Sequence, residues 1–183
     1  AYHHCSDREW VWPSFPIPEI SSIIPGSEIA RWFDKQHVGM GNVINIEDAS
    51  HIMQHDNNWI GIAFSVIFVV HKERRMCYPD WGQRNLIVNI PLLFREDLVT
   101  DESDHMWLFY YSQQDFTRFR HHGELKLGCR SSDLDQYFHV EVKKYGYQWV
   151  HKHDPELSNL TTMHRRNSSP RKHGFVMDDA NGS

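Results

Sequence analysis

The sequence predicts an all-β fold, an antiparallel sandwich of about seven to nine short strands with one or two short helices. Three observations carry this. Residues 59–70 place Ile60, Ile62, Phe64, Val66, Phe68 and Val70 at every second position, against Gly61, Ala63 and Ser65 and then Ile67 and Val69. Large residues opposite small ones at period two mark a central strand buried on both faces. Residues 137–143 alternate Phe138, Val140 and Val142 with His139, Glu141 and Lys143, the pattern of a half-buried antiparallel strand. Between these runs the chain is broken repeatedly by Pro, Gly and polar stretches, with no internal repeat.

The elements follow in order. Residues 1–16 read as an extended lead-in punctuated by Pro13 and Pro16. Residues 20–24 form a first strand, stopped by Pro25-Gly26. Ser27 is placed as an N-cap, with Glu28 at the positive end of the dipole, for one or two helical turns over 27–33. Residues 42–46 make a short strand after Gly39-Met40-Gly41, and the polar, histidine-rich 47–58 read as a loop. After the central strand, 71–84 form a long charged and aromatic loop. Residues 85–90 and 105–111 are further strands, the latter apolar on both faces. A polar excursion over 112–123 carries a helical turn around Phe116, and 124–128 form a short strand. Lys144-Tyr145-Gly146 reads as a turn that closes a hairpin between 137–143 and 147–150. Past His151 the apolar residues thin out, so the domain is set at 17–153. Residues 154–183 are expected to be a disordered basic, serine-rich tail.

Composition narrows the function. Hydrophobic residues reach 40% and aromatics 13%, enough for a packed core. The longest apolar stretch, 60–70, is far short of the ~20 residues of a membrane helix. The opening residues lack a signal peptide, and the chain reads as a piece of a longer protein. A formal charge of −5 argues against a nucleic-acid binder, which is normally basic. Cys5, Cys77 and Cys129 are odd in number and form no CxxC pair, which favours a reducing compartment, cytoplasmic or nuclear. The 14 histidines are the unusual feature; protonating all of them would reverse the sign of the net charge.

No catalytic constellation emerges. There is no GxSxG elbow, P-loop or GxGxxG, and Cys129, placed in a loop, reads as an inert thiol. His151-x-His153 would put two imidazoles on one face of a strand, with Asp154 next to them and His121-His122 or His3-His4 as a third ligand. Scattered surface histidines account for the same pattern, so no metal is assigned. Asp101-Glu102-Ser103-Asp104 reads as a solvated acidic turn rather than a glycosidase pair. What remains is loop chemistry. Arg74, Arg75, Tyr78 and Trp81 are residue types enriched at interface hot spots, and Arg118, Phe119 and His121 form a second such set. The alternative is that Tyr78 and Trp81 fold back to cap the core.

One segment, Ile24-Pro25-Gly26-Ser27-Glu28-Ile29-Ala30-Arg31-Trp32-Phe33, resembles the IPGSEIPEWF-like motif of the post-LRR domain of plant TIR-NB-LRR (TNL) disease resistance proteins, also called the C-terminal jelly-roll/Ig-like domain (C-JID). The resemblance continues through the Gly39–Gly41 turn and short strand, the Trp59-Ile60-Gly61 strand, Asp104-His105-Met106-Trp107-Leu108-Phe109-Tyr110, and Val140-Glu141-Val142-Lys143-Lys144-Tyr145-Gly146, in family order over roughly residues 17–151. Ala30 stands in place of the second proline, Glu47-Asp48 in place of Leu-Pro, and Tyr145 where Cys is common.

The resemblance implies a jelly-roll/Ig-like sandwich that senses pathogen effectors together with the leucine-rich repeat of the same chain. Pro25, Gly26, Ser27, Glu28, Trp32, Phe33, Trp59 and Trp107 would be its scaffold motif. It implies no catalytic residue and no cofactor in this domain. ADP or ATP and NAD would belong to the NB-ARC module and the TIR NADase of the full receptor, which oligomerises on activation, whereas the isolated domain would be monomeric. Two alternatives stand: a carbohydrate-binding sandwich that stacks sugars on exposed aromatics, and a structural or autoinhibitory cap on the repeat.

Overall fold

The structure, a computed structural model, describes residues 18–76, 87–90, 102–118, 123–130, 137–155, 157, 158 and 160, with the backbone alone for 74–76, 130 and 137. Among these residues the chain forms strands β1 (Ile20–Pro25), β2 (His37–Val38), β3 (Val43–Asn45), β4 (Trp59–Met76), β5 (Ile87–Asn89), β6 (His105–Ser112), β7 (Glu124–Arg130) and β8 (Tyr137–His151), with helices α1 (Ala49–His55) and α2 (Gln113–Phe116). The fold is the expected mostly antiparallel β-sandwich.

One sheet has the order β1-β6-β4-β8, all antiparallel. The far edge of β8 is shared: β2 pairs with it at Tyr145 and Lys144, and Cys129–Arg130 of β7 pair with Phe138 and Tyr137. The rest of β7 belongs to a second sheet between β3, antiparallel, and β5, parallel. β7 thus joins the two layers.

The main core lies between the sheets. Ile62, Phe64, Val66, Phe68 and Val70 of β4 and Trp107, Phe109 and Tyr111 of β6 meet Ile44, Leu125, Leu127 and Val88, with Ala49 and Phe116 from the helices. Rings of Phe64 and Phe109 stack at 4.8 Å, and Trp59, Phe116 and Trp149 meet edge to face. Each fully buried Phe contributes about 1.5–3 kcal/mol. A second core covers the opposite face of the first sheet, where Ile29, Phe33 and Leu160 pack on Ala63, Ile67, Met106, Leu108, Tyr110 and Val150.

Two one-residue bulges set which side chains enter which core. At the start of β4, Trp59 pairs with His151 and Gly61 with Val150, so Ile60 is the extra residue. The bulge turns Trp59 into the main core and sends Ile60, expected on the Ile62 face, to the second. On β8, Ile67 pairs with Lys144 and Phe68 with Val142, leaving Lys143 extra. Alternation therefore changes phase there: Phe138, Val140 and Val142 face the main core before it, Tyr145 and Trp149 after it. Because the side-chain period is two, one inserted residue exchanges the faces.

That phase change replaces the expected turn at 144–146: β8 is a single strand, not a hairpin. Gly146 has another role, since a Cβ there would press on Phe33 Cβ at 3.0 Å; it marks a close approach. Gly39 does likewise. A Cβ there would run into the Val142 carbonyl, and Gly39 N–H donates to Lys143 O at 2.8 Å.

Other expectations need correction. Residues 27–33 are not helical: Ser27 and Glu28 are exposed, and the segment makes one turn in which Phe33 N–H donates to Ala30 O. It lies flat on the sheet, with Ala30 N–H donating to Ser65 Oγ at 3.4 Å and Ile29 and Phe33 buried. Residues 49–55, expected as loop, form α1, whose Ala49, Ile52 and Met53 face the main core. The expected loop 71–84 begins later, since β4 runs to Met76. Cys129 is not in a loop but fully buried in β7. Packing also continues past residue 153, because Leu157 is half-buried and Leu160 completely buried.

Candidate functional site

Strand direction decides where the candidate loops stand. β4 enters at Trp59 and leaves at Met76, while β6 runs the other way, from His105 to Ser112. The chain therefore leaves β4 at one end of the sandwich and leaves β6, through α2, at the other. Arg74 and Arg75 belong to the first end and Arg118 to the second. Those ends are separated by the length of β8, roughly 45 Å at a rise of about 3.3 Å per residue. Arg74 and Arg75 therefore do not share one surface with Arg118. Tyr78, Trp81, Phe119 and His121 lie outside the described residues. Arg118 is exposed just past α2, with Nη1 3.9 Å from Asp115 Oδ1.

The β4 end has a distinctive build. β6 begins opposite Phe68, so from Val69 to Met76 the strand partner of β4 is β8. His71 pairs with His139 and Arg75 with Phe138, so Lys72, Glu73 and Arg74 bulge out of the ladder. Beyond Phe68 the β4–β8 ribbon runs roughly 16 Å further at strand rise, joined at its tip by Cys129–Arg130 of β7. Bulges of this kind re-aim a strand and end its pairing.

The ribbon base is a network of charges. His71 Nε2 lies 2.8 Å from Glu141 Oε2 and its Nδ1 3.9 Å from Glu102 Oε2, and its ring stacks on His139 at 5.6 Å. Glu102 Oε1 also accepts from Lys72 N–H at 3.1 Å, and Lys143 Nζ meets Asp104 Oδ1 at 2.6 Å. The acidic turn expected around 101–104 is thus tied to β4 and β8 through Glu102 and Asp104. The hydrogen bond from His71 holds the Glu141 carboxyl below its ordinary value, and Asp104 raises Lys143 above its own.

At the opposite end β8 stops at His151. His153 follows in a turn with φ 72°, exposed, so the two imidazoles do not share a strand face. His151 Nε2 meets Asp56 Oδ2 at 2.8 Å and Nδ1 lies 3.6 Å from Asp154 Oδ2. The histidine hydrogen bond, with the Asn58 N–H, lowers the Asp56 carboxyl. Among the described residues no group of three or more His, Cys, Asp and Glu side chains could hold a metal ion. His3, His4, His121 and His122 lie outside them.

The scaffold residues divide by burial. Phe33, Trp59, Phe64 and Trp107 are buried, and Trp32 is half-buried and stacked on Phe33 at 4.1 Å. Trp107 Nε1–H donates to Ser21 Oγ at 2.8 Å, joining β6 to β1. Pro25 and Gly26 end β1 on the surface, Gly26 with φ 153°. Sequence reasoning missed the ribbon-base network. Its only signal was the pair Glu102 and Asp104, close in sequence to His105 and read as solvated.

Comparison with known proteins returned no match: no family model, no curated protein and no solved structure matches this chain.

Proposed function

We propose that this domain is a protein-recognition module, and that it is the ligand-sensing post-LRR domain of a plant TIR-NB-LRR immune receptor, acting with the leucine-rich repeat on a pathogen effector. The observation that carries the recognition reading is the ribbon: a bulged extension of β4, with Arg74 and Arg75 in its backbone, that runs past the start of β6 from a double-cored sandwich. Binding residues held at the end of a rigid scaffold retain their geometry at low entropic cost. The receptor reading is supported by the sequence motifs in their order, whose aromatic members Phe33, Trp59 and Trp107 are buried in the two cores. The chain itself carries no catalytic step in this reading. It works in the plant cytoplasm or nucleus, and nucleotide and NAD chemistry belong to other domains.

The test replaces Arg74, Arg75, Tyr78 and Trp81 with Ala in the full-length receptor expressed in leaf tissue. Effector-triggered cell death is scored beside receptor accumulation. Loss of the response at normal accumulation is the expected result, with single truncations costing about 1–3 kcal/mol of partner binding. An unchanged response at normal accumulation sinks the ribbon as the contact surface. The same four changes combined with Arg118→Ala then ask whether the opposite end carries it.

A further inference from the structure

His71 and His151 stand at opposite ends of the sandwich and are held in the same way. Each ring places Nε2 2.8 Å from one carboxylate, Glu141 or Asp56. Each places Nδ1 near a second, Glu102 at 3.9 Å or Asp154 at 3.6 Å, beyond hydrogen-bond length. A neutral imidazole has one N–H and can donate to only one of the two; a protonated ring donates to both. The carboxylates come from different parts of the chain. Glu141 is on β8 and Glu102 lies just before β6; Asp56 is the C-cap of α1 and Asp154 sits in the turn after β8. From this geometry we propose that His71 and His151 are a pair of acid-tightened clamps, one at each end of the sheet, whose protonation draws Glu102 and Asp154 onto the β4–β8 ladder.

The surroundings fit a clamp that is held but open. Around His71 the other charged or titratable groups are His139 on β8, Lys143 with its partner Asp104, and Lys72 and Glu73 in the bulge. Around His151 they are His55 in the last turn of α1 and Lys152 and His153 in the turn. The second carboxylate is already anchored by backbone in both places: Lys72 N–H donates to Glu102 at 3.1 Å and His151 N–H to Asp154 at 2.7 Å. Closure therefore needs a short side-chain movement and no rearrangement of the fold. The histidine hydrogen bonds hold the Glu141 and Asp56 carboxyls below their ordinary values, so both stay ionised at the acid edge of the working range. The clamps close while the rings are doubly protonated and their carboxylates ionised, and open when a ring gives up its second proton. Their contribution to stability is therefore present on the acid side and lost on the alkaline side. It is independent of the recognition reading.

The experiment melts the 183-residue chain at about pH 5.5 and about pH 8, either side of the ordinary imidazole value of about 6.5. The comparison is a Glu102→Gln, Asp154→Asn double variant. Amide oxygens still accept from the Lys72 and His151 backbone, so only the charge facing each Nδ1 is removed. Contributions of the other histidines are common to both proteins and cancel in the difference. The parent is expected to gain melting temperature at the lower pH, and the variant to lose about half of that gain or more. In parallel, ¹⁵N signals of the two rings should reach the doubly protonated pattern at a lower pH in the variant. Equal pH dependence of melting in parent and variant, or ring titrations that coincide, overturns the proposal.

Discussion

The Tyr145 hydroxyl ties β8 to β3 through one atom. It donates to Asn45 O at 3.2 Å and accepts from Asn45 N–H at 3.1 Å, so β8 in one sheet grips the end of β3 in the other. Removing it leaves two backbone groups to find new partners. Tyr145→Phe should therefore lower stability by about 1–2 kcal/mol while keeping the fold, read from chemical denaturation with unchanged circular dichroism. At Gly39 the constraint is steric. The atom a methyl group would strike is backbone of β8, which cannot swing aside as a side chain can. Gly39→Ala should cost roughly 2–3 kcal/mol. Gly123→Ala, whose new methyl would meet nothing nearer than Ile46 O at 3.8 Å, should stay within about 0.5 kcal/mol. Sequence alone does not show the clash at Gly39, because it comes from the approach of a distant strand.

Strand phase is the property that sequence reading handled best and then lost. The two-sided burial of β4 and the alternation at 137–143 were legible because no extra residue is inserted into β4 over 61–70 or into β8 over 138–142. The phase change at Lys143 was not, because an added residue and a tight turn both look like a break in alternation. A turn at 144–146 and a bulge at 143 differ only in whether the following residues return to the same neighbour, and that neighbour is β4, some 75 residues earlier in sequence. Likewise α1 was hidden because Asp48 does not act as a side-chain cap: its Oδ1 accepts from Trp149 Nε1–H at 3.1 Å instead. Ala49, Ile52 and Met53, at helical spacing after an Asp, were the available signal. The bulge makes a sharp prediction. Deleting Lys143 would leave Val142 and Lys144 consecutive opposite Phe68 and Ile67, a regular ladder that keeps Tyr145 and Trp149 on the main-core face. The fold should survive with cooperative melting, at a cost of about 1–3 kcal/mol for the lost Gly39 N–H to Lys143 O bond and the local adjustment. Lys143→Ala, which removes the exposed ion pair to Asp104 and keeps the phase, should cost no more than about 1 kcal/mol.

At the scale of the whole molecule, the same topology that made the fold legible divides the candidate site. The residue types of a recognition surface could be read from sequence, but not which of them stand together. That depends on the direction in which β4 and β6 cross the sheet, and it places Arg75 and Arg118 at opposite ends. Charge follows a similar logic, since ionisable groups act by where folding puts them. Asp56 and Glu141 are held below their ordinary values by histidine hydrogen bonds. Their stabilisation is thus present above the unfolded carboxyl range, about pH 4, and is lost as pH falls through their lower folded values. Both are near the surface, so that acid limb should be shallow and weakened by salt. The alkaline limb has a different origin. Burial raises Tyr110 and Tyr147 to about 12, helped by Glu19 beside one and Asp48 beside the other, and pushes the more deeply buried Tyr111 upward as well. For these groups the folded value exceeds the unfolded one. The neutral form they favour is therefore shared by both states below about pH 10. Above it, stability falls steadily as pH climbs toward the folded values, because unfolding releases protons. Lys143, raised by Asp104, adds to the same slope. Unfolding free energy should therefore drop more steeply above about pH 10 than below about pH 4. Tyr147→Phe should flatten the alkaline slope, and phenolate absorbance should appear together with loss of the β-sheet signal. Phenolate absorbance that rises fully before the sheet signal changes would show that burial does not hold these hydroxyls neutral, and the argument for a tyrosine-driven alkaline limb would fail.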